Sequence, residues 1–132
     1  IPDNVTDQQA VLAYLASVPH KGIQRMTLRP NETFVVVGAG MVGISAIQEL
    51  KILEPTLKVV CIERNAFRRS IAEKYADLVV CPEEAVEKIK EFTNGKMADQ
   101  LMECSICHKL EMSKTRCVEN MLSTMKKDDQ DQ

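Results

Sequence analysis

The sequence predicts an α/β fold in which a parallel sheet carries helices on both faces. Three observations predict it. Short β-branched apolar runs alternate with helical stretches along the chain. One of those runs, Thr33-Phe-Val-Val-Val37, ends on Gly38, Gly40 and Gly43 at Gly-x-Gly-x-x-Gly spacing and passes straight into a helical pattern. The next run, Leu57-Lys-Val-Val-Cys-Ile62, ends on an acid, Glu63, 20 residues beyond Gly43. Strand, glycine turn, helix and acid-tipped strand in that order make a Rossmann-like pattern. Right-handed crossovers between its strands give strand order 3-2-1-4.

Each element has its own reason. Thr6 with Gln9 three residues on predicts a helix start, and Val11, Leu12 and Leu15 supply its apolar stripe. Pro19 is expected to end or break that helix, with a second short one running to Met26. Leu28 to Thr33 reads as a polar turn feeding the first strand. The helix after the glycines is expected from about Val42 to Leu53, closed by Glu54-Pro55. After Leu57–Ile62, residues Ala66 to Tyr75 read as a helix with Ile71, Ala72 and Tyr75 on one face. Leu78-Val-Val-Cys81 is the third strand. Pro82-Glu-Glu opens a helix, with Val86, Ile89 and Phe92 on its buried face and Thr93-Asn-Gly95 at its end. Gln100-Leu-Met-Glu103 is a weaker fourth strand, and a last helix is expected from Cys107 to about Met125. The alternation stops two strands short of the full doubly wound order, so the sheet is expected to be incomplete. Residues 1–125 then form one domain, its first 33 residues a helical opening segment. The charged, apolar-free stretch 126–132 is expected to be a disordered tail.

The glycine turn carries the chemistry. Gly38 lets the chain turn sharply out of the strand. Gly40 has no side chain to keep a pyrophosphate from the backbone, and Gly43 lets the helix pack close to the sheet. The N–H groups opening that helix have no intrahelical acceptors and face the positive end of its dipole. The turn holds no Gly-Lys-Ser/Thr, which argues against a nucleoside triphosphate P-loop. A carboxylate at Glu63 can accept hydrogen bonds from ribose hydroxyls and repels a 2′-phosphate, favouring NAD over NADP. Arg64, Arg68 and Arg69 pull the other way, as a phosphate contact or simply a solvated face.

Composition excludes other classes. A net charge of −2 leaves no nucleic-acid footprint. No apolar run reaches membrane length, and no signal peptide opens the chain. Ile1-Pro2-Asp3 lacks an initiator Met, so the sequence is expected to begin inside a longer chain or to be processed. Five cysteines, Cys61, Cys81, Cys104, Cys107 and Cys117, fit reduced thiols in the cytoplasm better than a disulfide framework; Cys61 and Cys81 fall in strands expected to be buried. Cys104-Ser-Ile-Cys107-His108 matches the haem c attachment pattern, and Cys104, Cys107, His108 and Cys117 offer four ligands to zinc. Adjacent Cys107 and His108 are awkward ligands for one ion, so an accidental match is the favoured reading and no metal is assigned. The same pair lacks the strand-then-helix context of a redox Cys-x-x-Cys. His20 is read as a surface residue rather than a proton relay. No Ser/His/Asp or paired-carboxylate arrangement can be assembled.

The order of elements resembles the coenzyme domain of the medium-chain, zinc-type, alcohol-dehydrogenase-like oxidoreductases. The resemblance rests on Ile1-Pro-Asp-Asn-Val, on Arg29 through Gly43, on Cys61-Ile-Glu-Arg-Asn-Ala-Phe-Arg-Arg69, on Ala76-Asp77-Leu-Val-Val and on Thr93 through Asp99. It spans roughly residues 1 to 105. It implies that Gly38, Ala39, Gly40, Met41 and Val42 meet the pyrophosphate and Glu63 the adenosine ribose, with Gly43 closing the same cofactor-binding turn. It places a basic residue near Arg68 at the adenine end, with Arg64 a further cofactor-binding candidate beside it, and Cys104 and Ser105 on the border of the nucleotide. It further implies a substrate-binding domain holding the zinc ligands ahead of Ile1, and an alcohol or carbonyl substrate exchanging hydride with nicotinamide in the complete enzyme. Three residues depart from the family: Tyr75, Met97 and Ile106 stand where glycines are usual, so the third and fourth turns are expected to be distorted. Two other readings stand beside this one: a non-catalytic nucleotide-sensing regulatory domain, and a truncated, degenerate dehydrogenase fragment. An unpaired edge at the fourth strand would also favour a homo-oligomer.

Overall fold

Thr33–Val37 forms strand β1, buried along its whole length, and it sits inside a four-stranded parallel sheet. The computed structural model describes residues 1–105. β2 (Lys58–Ile62) pairs with β1 from Thr33–Lys58 to Val37–Ile62, and β3 (Leu78–Val80) pairs with β2 from Val60–Leu78 to Ile62–Val80. β4 (Gln100–Glu103) pairs with the other side of β1, from Phe34–Gln100 to Val37–Glu103. The sheet order is therefore β3-β2-β1-β4, the order expected.

Helices cover both faces. Side chains alternate across a strand, so Phe34 and Val36 point to one face and Val35 and Val37 to the other. On the first face they meet Ala46, Ile47 and Leu50 of α3 (Met41–Leu53), Ala72 of α4 (Ala66–Ala72) and Ile23 of α2 (Ala13–Ile23). On the second they meet Ala85 and Ile89 of α5 (Ala85–Phe92), together with Met97 and Ala98. Each fully buried large side chain contributes roughly 1.5–3 kcal/mol over its exposed state.

The N-terminal ends of the strands are closed by carboxylates. Asp99 Oδ2 accepts the Thr33 N–H at 2.8 Å, and Asp77 Oδ2 accepts the Val59 N–H at 2.7 Å. Lys51, in the last turn of α3, reaches Asp77 at 2.9 Å and the Leu57 carbonyl at 2.9 Å. The sheet is thereby fixed at the end opposite the glycine turn.

Several expectations need correction. α1 (Asp7–Ala10) does carry the reciprocal Thr6–Gln9 cap, but the helical path breaks at Val11–Leu12, and Pro19 lies inside α2. A proline has no N–H to donate and costs a helix interior about 3 kcal/mol. Here its ring is buried, and α2 packs along α3, so tertiary packing outweighs the lost bond. Val11, Leu12 and Leu15 are exposed, and the buried residues of α2 are Pro19 and Ile23 instead. α4 stops at Ala72, three residues before Tyr75, which is exposed rather than on the packed face. β3 ends at Val80, leaving Cys81 only half-buried beyond it. Pro82 to Glu84 form a turn ahead of α5. Of the departures from the family's glycines, Met97 does take a left-handed backbone (φ 65°), while Tyr75 does not. Ile106, the helix expected from Cys107 to Met125 and the tail at 126–132 lie outside the described residues. Among the described residues no helix is long and apolar enough to cross a membrane.

Candidate functional site

At the C-terminal edge of the sheet the strand order reverses between β1 and β4, because the chain runs from β1 to β2 on one side and returns to β4 on the other. This is the switch point at which doubly wound sheets take ligands. The glycine turn lies there. Gly38 has φ 97°, a conformation that a side chain resists, and its N–H donates to the Ile62 carbonyl at 2.8 Å. A Cβ on Gly38 would stand 3.0 Å from Ser105 Cβ and 3.1 Å from the Cys104 carbonyl carbon. Cys104 N–H in turn donates to the Val37 carbonyl at 2.8 Å. Cys104 and Ser105 therefore form the wall of the turn on the β4 side.

Gly40 and Gly43 differ in what surrounds them. A Cβ on Gly43 would lie 1.8 Å from the Gly38 carbonyl oxygen, so α3 can approach the turn only without one. A Cβ on Gly40 would meet nothing within 4 Å. Gly40 is the N-cap of α3, and the first helical bond of that segment runs from Ile44 N–H to the Gly40 carbonyl at 2.9 Å. The N–H groups ahead of it have no intrahelical acceptor and point out of the helix at its positive end. Open space above Gly40 and outward N–H groups beside it make a cradle whose geometry and charge suit an anion. Met41, half exposed, stands at its mouth.

Glu63 sits across the turn at the end of β2. It is only 9% exposed, so it is not the solvated strand-end residue that its position alone would allow. Its Oε2 accepts the Ala39 N–H at 2.7 Å, and its Oε1 accepts the Asn65 N–H at 2.8 Å. Burial pushes its carboxyl up. The backbone N–H groups of Asn65, Ala39 and Arg64 and the charge of Arg68 outweigh that, leaving it below the ordinary carboxylate range. It is ionised at neutral pH. Arg69 half-buries and donates to the carbonyls of Glu63 and Arg64 at 3.0 and 2.6 Å, so it shapes the turn. Arg64 and Arg68 are exposed beside it.

Sequence reasoning missed Asn65. It caps α4, its Oδ1 accepting the Arg68 N–H at 3.0 Å, while its own N–H holds Glu63. Its place directly before Ala66 is the signal that could have found it.

The thiols of Cys61 and Cys104 show no activation. Burial pushes Cys61 to about 12, with the charges of Glu63 and Cys104 adding to it; burial, then Glu103, pushes Cys104 to about 11. A redox thiol would need the opposite shift. Among the described residues no group of three or more His, Cys, Asp or Glu could hold a metal; Cys107, His108 and Cys117 lie outside them. His20 bonds Glu49 on the C-terminal half of α3, about 12 Å along the helix from the glycine turn at 1.5 Å per residue. It is a helix–helix contact.

No family model matches the chain. An uncharacterized zinc-type alcohol dehydrogenase-like protein of Haemophilus influenzae is 32% identical over 111 residues, 80% of this chain and 31% of that protein. Acryloyl-coenzyme A reductase of Metallosphaera sedula is 34% identical over 92 residues, 68% of this chain and 27% of that protein. Among solved structures, alcohol dehydrogenase TADH from Thermus sp. ATN1 superposes with a TM-score of 0.74 at 25% identity, covering 89% of this chain and 35% of that one. The chain spans about a third of the length of the relatives it matches.

Proposed function

The chain is a Rossmann-fold domain related to the medium-chain, zinc-type alcohol-dehydrogenase-like oxidoreductases, and we propose that it binds the adenosine-diphosphate half of NAD. The observation that carries this reading is the open space above Gly40 at the N-terminus of α3, with the buried, ionised carboxylate of Glu63 across the turn. The N–H groups of the turn take the pyrophosphate oxygens, with Met41 and Val42 opening the helix. The backbone N–H groups of Ala39 and Asn65 bond the carboxylate and that of Arg64 also acts on it, which takes up to three of its roughly four lone-pair positions and leaves room for a ribose hydroxyl. A 2′-phosphate would meet a fixed negative charge there, so NAD is favoured over NADP. Arg64 and Arg68 flank the adenine end, and Cys104 and Ser105 border the turn from β4.

Nicotinamide supplies hydride chemistry when bound. The relatives' names add the setting: a zinc-type alcohol dehydrogenase-like protein and a reductase of an acyl-coenzyme A. In a complete enzyme of this kind the present residues would position the dinucleotide, and an alcohol or carbonyl substrate would exchange hydride with it. Within residues 1–105 the chain's own part is binding and orientation.

Calorimetric titration with NADH, NADPH and ADP-ribose tests the reading. ADP-ribose should bind about as well as NADH, because the site holds the half they share. NADPH should bind at least tenfold more weakly. Absence of binding by all three at millimolar concentration contradicts the proposal.

A further inference from the structure

Glu63 does more in this structure than face a ribose. Its two carboxylate oxygens accept from two backbone N–H groups on different segments, Ala39 in the glycine turn and Asn65 at the start of α4. The residues are 24 and 2 positions away along the chain. We propose that Glu63 is a positioning residue: its carboxylate latches the glycine turn to the β2–α4 turn and so sets the cradle that receives the pyrophosphate. This deepens the nucleotide reading above and rests on it.

Three observations support a latch. Glu63 is 9% exposed and its bond to Ala39 is buried, so water competes little for that oxygen. The donors approach at 2.7 and 2.8 Å, in the range of charge-assisted bonds. Both neighbouring segments are themselves pinned: Gly38 N–H holds the Ile62 carbonyl, Glu63 N–H holds the Val80 carbonyl at 3.0 Å, and the Asn65 side chain caps α4. Those bonds leave the Ala39 and Asn65 N–H groups to Glu63, whose side chain ties the one turn to the other. Ala39 lies between the glycines that shape the cradle, so moving its N–H moves the donors on either side.

The chemistry of an amide separates this duty from ribose contact. Glutamine offers one carbonyl oxygen and one NH2. Ribose hydroxyls donate and accept, so they can bond to either group. Backbone N–H groups only donate, so glutamine can serve one of the two and must turn an NH2 against the other. Glu63→Gln therefore breaks half the latch while leaving partners for the ribose.

The test is Glu63→Gln against the full wild-type chain, with amide hydrogen exchange at Ala39 and Asn65 and calorimetric titration with NADH. The proposal expects exchange at least tenfold faster at one or both amides, and NADH affinity at least tenfold lower. Lower affinity with unchanged exchange means that Glu63 touches only the ribose, and overturns it. Faster exchange with unchanged affinity shows that the turn's position does not govern binding, and overturns it as well. If the wild type binds no NADH, the nucleotide reading fails by itself, and the exchange arm still decides the latch. Should Glu63→Gln not fold, a pH titration of the wild type decides. The Ala39 and Asn65 amide proton resonances should move together with the titration of the Glu63 carboxyl; independent movement overturns the latch. The charged side chains beside Glu63 are Arg68, whose charge acts on the carboxyl, and Arg69, which donates to the Glu63 carbonyl, with the Cys61 thiol behind it. The first turn of α3 contributes none.

Discussion

On the proposed function, single residues at the C-terminal edge of the sheet decide whether a nucleotide can enter. The glycine spacing was legible in the sequence, and so was the packing duty of Gly43, since only a missing Cβ allows its close approach to the Gly38 carbonyl. Gly43→Ala should therefore destabilise the fold by roughly 1–3 kcal/mol, as overpacking does, despite the better helix propensity of alanine. Urea unfolding measures it, and a stabilised variant would mean that α3 is free to move outward. The destination of the Glu63 carboxylate was not legible: spacing tells which residue ends a strand, not which donors its side chain finds. The folded value of that carboxyl lies below its unfolded value, so its contribution is fully present above the ordinary carboxylate range and is lost as pH falls through the lower folded value. The stability gap between wild type and Glu63→Gln should accordingly be constant near neutrality and shrink below about pH 4. A gap independent of pH would contradict the ionised, hydrogen-bonded carboxylate. Met97 is the converse case of a glycine position filled. It is buried at 2% exposure with φ 65°, so packing and backbone strain oppose one another. Met97→Gly should retain about 1 kcal/mol more stability than Met97→Ala, the reverse of the usual order, because only glycine relieves the left-handed strain.

At the scale of elements, the strands and the helices between them follow the apolar runs closely, because a parallel strand buried on both faces must be apolar throughout. The ends are less legible. Asp77 and Asp99 close the N-terminal ends of β2 and β1, and their partners Val59 and Thr33 lie 18 and 66 residues away, beyond any local pattern. Asp99→Ala leaves the Thr33 N–H without its acceptor and should cost about 1–3 kcal/mol in urea unfolding, whereas Asp99→Asn, which keeps an oxygen, should recover most of it. Equal losses in both variants would assign the effect to charge instead. α2 shows the limit of periodicity more plainly. Val11, Leu12 and Leu15 do form an apolar set, yet they are exposed, and Pro19 is buried inside the helix it was expected to end. Periodicity identifies an apolar face; it does not say which neighbour covers it. Pro19 is carried by the packing of α2 along α3, a contact between segments whose meeting no local propensity records.

For the molecule as a whole, the strand order 3-2-1-4 puts β1 at the centre and its glycine turn at the switch point. Carboxylates fix one end of the sheet, and the other end is left to the glycine turn, Glu63 and the Cys104–Ser105 wall. Fold and site are thus separable: Gly43 serves the packing, and Gly40 serves only the space above it. The central claim, that this space receives a dinucleotide pyrophosphate, is tested most directly at Gly40. Gly40→Ala adds a methyl that meets nothing within 4 Å, at an N-cap where alanine costs about 1 kcal/mol or less relative to glycine. NADH titration of wild type and Gly40→Ala, with unfolding measured on both, should give near-equal stabilities and at least a tenfold loss of affinity in the variant. Equal NADH affinity in the two proteins would contradict the account.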